Sequence, residues 1–142
     1  GVLYEGKPQT QEVFSKDVMA DLTHSLKSVV NGGTGGAALA LGRPAAGKTG
    51  TSQSNASAWF SAYTPNLAAS VALFRDSASE SLNGIGGLTS VTGGSFPARI
   101  WTAFMKGALK EEPVMEFPAP ANIGGLDPIV MTSGGKQSMK KK

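Results

Sequence analysis

Apolar residues return at helical spacing between positions 18 and 30, where Val18, Met19, Leu22, Leu26, Val29 and Val30 form one stripe. Ser15 precedes the stripe as an N-cap, Asp17 and Asp21 put negative charge in the first turns, and Asn31-Gly32-Gly33 stops the run. The pattern predicts an amphipathic helix over residues 15–31. A second stripe, Ile100, Trp101, Phe104, Met105, Ala108 and Leu109, follows Pro97 and predicts a helix over residues 97–110. Between the helices the pattern changes. Ala58-Trp59-Phe60-Ser61-Ala62-Tyr63 and the run Leu67 to Phe74 read as strands joined at Thr64-Pro65-Asn66, with a further strand over residues 46–53 ahead of them. Two short apolar patches, Val2-Leu3-Tyr4 and Glu12-Val13-Phe14, read as extended pieces around a loop.

Three consecutive strands with short links favour an antiparallel meander, and two helices must pack against it to bury their stripes. The fold class expected is therefore α+β, an antiparallel sheet flanked by helices. Residues 34–44 are small and glycine-rich, and residues 75–95 read as a polar, glycine-rich loop. From Pro113 the chain turns to scattered prolines and small residues and ends on three lysines. That organisation divides it into a body, residues 1–112, and a tail, residues 113–142, expected to lack fixed structure. The chain opens Gly1-Val2-Leu3 and reads as a piece of a longer protein, with any anchor or export signal upstream.

Charge narrows the function. Residues 1–112 hold nine basic and eight acidic side chains, so the formal excess of the chain, +3, lies mostly in its tail. Nothing in the body resembles the basic face that nucleic-acid binding requires. The chain has no cysteine and one histidine, which removes disulfides, thiolate metal sites and zinc sites built from several imidazoles. No metal or cofactor is called for. His24 falls on the helix face away from Leu22 and Leu26 and is expected to face solvent.

Two motifs share Lys48. Gly42-Arg43-Pro44-Ala45-Ala46-Gly47-Lys48-Thr49 matches the phosphate-binding loop pattern, which needs a strand before it and a helix starting at its lysine. Residues 38–41 make a weak strand, and Gly50, Ser52, Ser54, Asn55 and Ser57 make a poor helix start. The other motif is Lys48-Thr49-Gly50-Thr51 in its surroundings. Val29-Val30-Asn31-Gly32-Gly33-Thr34-Gly35-Gly36 precedes it. Ala58-Trp59-Phe60-Ser61-Ala62-Tyr63-Thr64-Pro65 and Thr92-Gly93-Gly94 follow, then Pro97-Ala98-Arg99-Ile100-Trp101-Thr102-Ala103-Phe104-Met105. Over residues 12–110 this set closely resembles the C-terminal part of the transpeptidase domain of class A, bifunctional penicillin-binding proteins.

The resemblance implies a penicillin-binding, serine β-lactamase-like transpeptidase fold, in which the Lys-Thr-Gly-Thr strand lines the active-site cleft. A donor peptide ending in D-Ala-D-Ala, or a β-lactam mimicking it, would lie along that strand, and Gly50 would permit its close approach. Thr49 and Thr51 would offer hydroxyls to the terminal carboxylate, and Lys48 positive potential and help with proton movement. The Thr51 N–H would be half of an oxyanion hole.

The family's order is Ser-x-x-Lys, then Ser-x-Asn, then Lys-Thr-Gly, and neither serine motif precedes Lys48 here. Ser133-Gly-Gly-Lys136, Ser138-Met-Lys-Lys141 and Ser81-Leu-Asn83 fit the patterns only in the wrong order. The expected protein is a peptidoglycan D,D-transpeptidase, held at the extracytoplasmic face of a bacterial membrane and acylated by β-lactams. Its nucleophile lies outside this chain, which alone is expected to be inactive, with the missing N-terminal part of the same domain as a partner. A non-catalytic binding module on the same fold is the alternative, and a nucleotide-binding loop a remote one.

Overall fold

Ser15 opens the first helix by accepting the Val18 N–H on its hydroxyl at 3.4 Å. Helix α1 runs Lys16–Asn31 and ends as the Gly32 N–H returns to the Ser28 carbonyl. The structure, a computed structural model, describes residues 1, 3–7 and 9–123. After α1 come a 3₁₀ segment, Gly36–Leu41, strands β1 (Ala46–Thr51), β2 (Ser57–Thr64) and β3 (Leu67–Phe74), and helix α2 (Phe96–Ala108). The three strands form one antiparallel sheet in the order β1-β2-β3, the expected meander.

Period-two alternation along β2 sets the layers. Ala58, Phe60, Ala62 and Thr64 are buried, whereas Trp59 and Ser61 are exposed. The buried face meets α2 and the 3₁₀ segment. There Trp101 packs edge-on against Phe60 at 5.4 Å, and its indole N–H donates to the carbonyls of Ala62 and Ala69. Val30, Leu41, Met105 and Leu109 complete this core. Arg43 closes the far end of α2 by donating to the carbonyls of Leu109, Glu112 and Pro113.

Residues 34–44 hold more order than a loop. The 3₁₀ segment buries Ala38 and Leu41, and Thr102 of α2 donates to the Ala37 carbonyl. Only the later part of the expected α1 stripe is covered in this chain, with Val30 buried and Leu26 and Val29 half-buried. Ala20, Thr23 and Val30 are the buried residues, while Val18, Met19 and Leu22 are 37%, 40% and 46% exposed. Thr23 bonds the Tyr63 hydroxyl at 2.9 Å, so the side of α1 that faces the sheet is rotated away from Val18, Met19 and Leu22. Phe104, expected in the core, is likewise 55% exposed, because α2 turns Trp101 and Met105 inward. His24 is exposed as expected. The extended pieces near the start form no strand among the described residues; Leu3, Tyr4, Val13 and Phe14 stand exposed, and Val2 lies outside them.

Residues 113–123 contain no helix or strand, yet they return across the molecule to α1. Phe117 meets Tyr63 edge-on at 5.5 Å beneath the Lys27 ammonium. Asn122, in a left-handed conformation, lets two successive N–H groups, its own and that of Ile123, donate to the Asp21 carboxylate at 2.9 Å each. The remaining tail, residues 124–142, lies outside the described residues. The Asn122 and then the Ile123 N–H hold the Asp21 carboxyl below its ordinary value, aided by nearby His24. A lowered carboxyl stabilises the contact above its unfolded pKa, and that contribution disappears as pH falls through the lowered value. Asp21→Ala is therefore expected to speed hydrogen exchange at Asn122 and Ile123 at neutral pH while leaving the Trp101 core amides protected. Unchanged exchange at both positions would show that the carboxylate does not hold the strap.

Candidate functional site

Strand β1 lies at the edge of the sheet, and Lys48-Thr49-Gly50-Thr51 makes up the last four of its six residues. Lys48 pairs with Ser61, mid-strand, and no helix begins there, which removes the phosphate-loop reading. Pairing of Thr49 with Phe60 and Thr51 with Ala58 sets both threonines on the α2 side of the strand. Lys48 and Gly50, opposite Ser61 and Trp59, take the other side, where a shallow apolar hollow of about 440 Å³ runs from Lys48 to Tyr63 and Ser70. An extended molecule lying along the outer edge of β1 meets both sets.

Lys48 is exposed, and its ammonium donates to the Thr49 carbonyl at 2.9 Å. Among the described residues it forms no ion pair. Its charge is therefore available at the strand edge, uncompensated by a carboxylate.

The two hydroxyls are held from behind. Thr34, in the glycine-rich turn after α1, bonds its hydroxyl to that of Thr49 at 2.6 Å. The Gly93 N–H, in the turn that enters α2, donates to the Thr51 hydroxyl at 3.1 Å. Both contacts depend on glycine. A Cβ on Gly93 would run into the Trp59 carbonyl and lie 2.7 Å from the Gly50 carbonyl oxygen, and one on Gly94 would strike the Thr34 carbonyl. The turn lies flat on β1 because it has no side chains there. Asn55 anchors the loop leading to that turn, with its side-chain amide donating to Ser90 and to the Val91 carbonyl.

Thus Lys48, Thr49, Gly50 and Thr51 occupy one accessible strand, as the sequence implied. The roles of Thr34 and Gly93 in holding them were not foreseen. Their only signal was a threonine set among four glycines, Gly32-Gly33-Thr34-Gly35-Gly36, and the paired glycines after Thr92. Among the described residues, no helix is long and apolar enough to cross a membrane.

Comparison with known proteins agrees with this architecture. The family model described as the penicillin binding protein transpeptidase domain matches residues 4–82. Penicillin-binding protein 1A of Mycolicibacterium smegmatis is 36% identical over 120 residues, 81% of this chain but 15% of that protein. Penicillin-binding protein 1A of Pseudomonas aeruginosa is 36% identical over 111 residues, covering 76% of this chain and 13% of that protein. The chain thus spans about a seventh of the length of these relatives. Among solved structures, the penicillin-binding protein PonA1 of Mycobacterium tuberculosis superposes with a TM-score of 0.70 at 30% identity, over 89% of this chain and 34% of that one. The PonA1 structure in complex with penicillin V gives 0.69 at 35% identity, over 78% of this chain and 30% of that one. On this agreement of sequence, fold and edge strand, the chain belongs to the penicillin-binding protein transpeptidase family and carries part of the transpeptidase domain.

Proposed function

We propose that residues 1–112 are the C-terminal portion of a peptidoglycan D,D-transpeptidase that cross-links stem peptides through an acyl-serine intermediate. The observation that carries this reading is the accessible edge strand, with a cation that no carboxylate among the described residues compensates, a glycine for close approach and two hydroxyls fixed in place. The stem peptide would add to β1 as an outer strand, its D-Ala-D-Ala carboxylate taken by Thr49 and Thr51. Lys48 would favour the anionic substrate and support proton transfer between the serines, and the Thr51 N–H would take half the charge of the tetrahedral oxyanion. A β-lactam would enter by the same contacts, and penicillin V bound to PonA1 supports this for a related protein. The whole protein would work at the extracytoplasmic face of the bacterial membrane.

The nucleophile is assigned to the upstream part of the domain, which would cover the exposed faces of α1 and α2. An expected outcome follows. The 142-residue chain alone, incubated with penicillin, gives no covalent adduct by intact-mass spectrometry, whereas the full-length protein gains one at an upstream serine. An adduct mapped to a serine within residues 1–142 would refute the split of the site.

A further inference from the structure

Thr34 is exposed and Thr49 half-exposed, so water could satisfy either hydroxyl. A hydrogen bond between two such groups contributes little net stability, because it replaces bonds to solvent. What it does fix is direction. Thr34 has little freedom to leave, since the Gly35 N–H behind it donates to the Val29 carbonyl at 2.8 Å and Gly94 lies against its own carbonyl.

From this geometry we infer that Thr34 is a positioning residue: its hydroxyl donates to Thr49, and so presets the Thr49 hydroxyl as a donor toward the carboxylate of the bound substrate. The inference rests on the proposed role of Thr49 and Thr51 as the carboxylate site. Each hydroxyl has one proton. If Thr34 gives its proton to the Thr49 oxygen, the Thr49 proton is left for the ligand. In the reverse arrangement Thr49 would turn a lone pair toward an anion, which the anion's field opposes. At Thr51 no such choice exists, because the Gly93 N–H can only donate, and the Thr51 proton is free by construction. Thr49 and Thr51 are two residues apart on one side of β1, about 7 Å along the strand, a span a carboxylate bridges when each oxygen accepts one bond. Thr34 to Thr49 to carboxylate is then a chain of donors whose members strengthen one another. The site is assembled from three segments, the turn after α1, the edge strand and the turn before α2.

The test uses the full-length enzyme and two probes, a fluorescent penicillin with its free carboxylate and the methyl ester of the same compound. Thr34→Val is expected to slow acylation by the acid about tenfold and by the ester less than about twofold, with Thr34→Ser within about threefold of the parent on both. In a Thr49→Val background, Thr34→Val should add nothing, because its effect passes through the missing hydroxyl. Equal losses on acid and ester would show a merely structural role and overturn the inference, as would no loss on either, or losses that multiply in the double variant. Should Thr34→Val fail to fold, Thr34→Ala is read in its place on the same acid-to-ester ratio. Thr49→Val separates the two levels of the argument. If it leaves that ratio unchanged, the carboxylate reading falls and the inference with it; if it collapses the ratio while Thr34→Val does not, the inference alone falls.

Discussion

Full-length enzyme carrying Lys48→Ala is expected to be acylated by a fluorescent penicillin about a hundredfold more slowly than the parent, the scale of losing one preorganised electrostatic group. The side chain is exposed on the edge strand, and its one hydrogen bond runs to the carbonyl of the next residue. Deleting it creates no cavity and unpairs no carboxylate, so stability should change by less than about 0.5 kcal/mol. The loss is therefore chemical, and the melting temperature of the variant serves as the control. Thr51→Ala should cost less, since the backbone N–H assigned to the oxyanion hole survives and only the hydroxyl goes. Acylation of Lys48→Ala within threefold of the parent would remove the lysine from the proposed mechanism.

Trp101→Ala should be the most destabilising single change in the described core, about 3–5 kcal/mol in the full-length domain by denaturant titration. The ring is fully buried between sheet and helix, stacks edge-on with Phe60, and ties two paired strands by donating to both Ala62 and Ala69. Trp101→Phe keeps most of the volume and loses the N–H, so it should fall well short of the alanine variant. Because Phe60 stands opposite Thr49 in the sheet, the alanine variant should also lose penicillin acylation before it is globally unfolded. A cost below about 1 kcal/mol would mean that the core is organised around some other residue.

The elements of regular structure were legible because local pattern dictates them. The Ser15 cap, the alternation of β2 and the link at Pro65-Asn66 gave helix and strand limits within one or two residues of those observed, the ends of β1 and α2 each falling two residues early. The 3₁₀ segment Gly36–Leu41 was not legible. Its residues are small, follow neither period, and take their shape from α2 through Thr102 and the buried Ala38. The return of residues 113–123 escaped for the same reason, since Asp21 and Asn122 meet across about a hundred residues of chain. Helical spacing identified α1 correctly but misplaced its partner. An apolar stripe announces that something covers it, and in this chain Val18, Met19 and Leu22 remain open. In the site, Lys48 to Thr51 stood out by motif, whereas Thr34 and Gly93 act through approaches of backbone that only three dimensions bring together.

The supports described for the edge strand all come from residues 16–105: α1 alongside it, Thr34 and Gly93 on its hydroxyls, Gly94 behind Thr34, and Phe60 and Trp101 beneath it. A gene divided ahead of residue 1 therefore keeps the recognition surface on one polypeptide and, on the proposed assignment, the reacting serine on the other. Fused to two proteins whose meeting is in question, such halves would turn a covalent fluorescent label on only when the pair assembles. The label would mark each encounter durably, because the proposed acyl-serine would outlast the association that produced it. On the proposed assignment, the same brace of glycines that lets two turns lie flat on one strand would make the divided domain a two-component reporter.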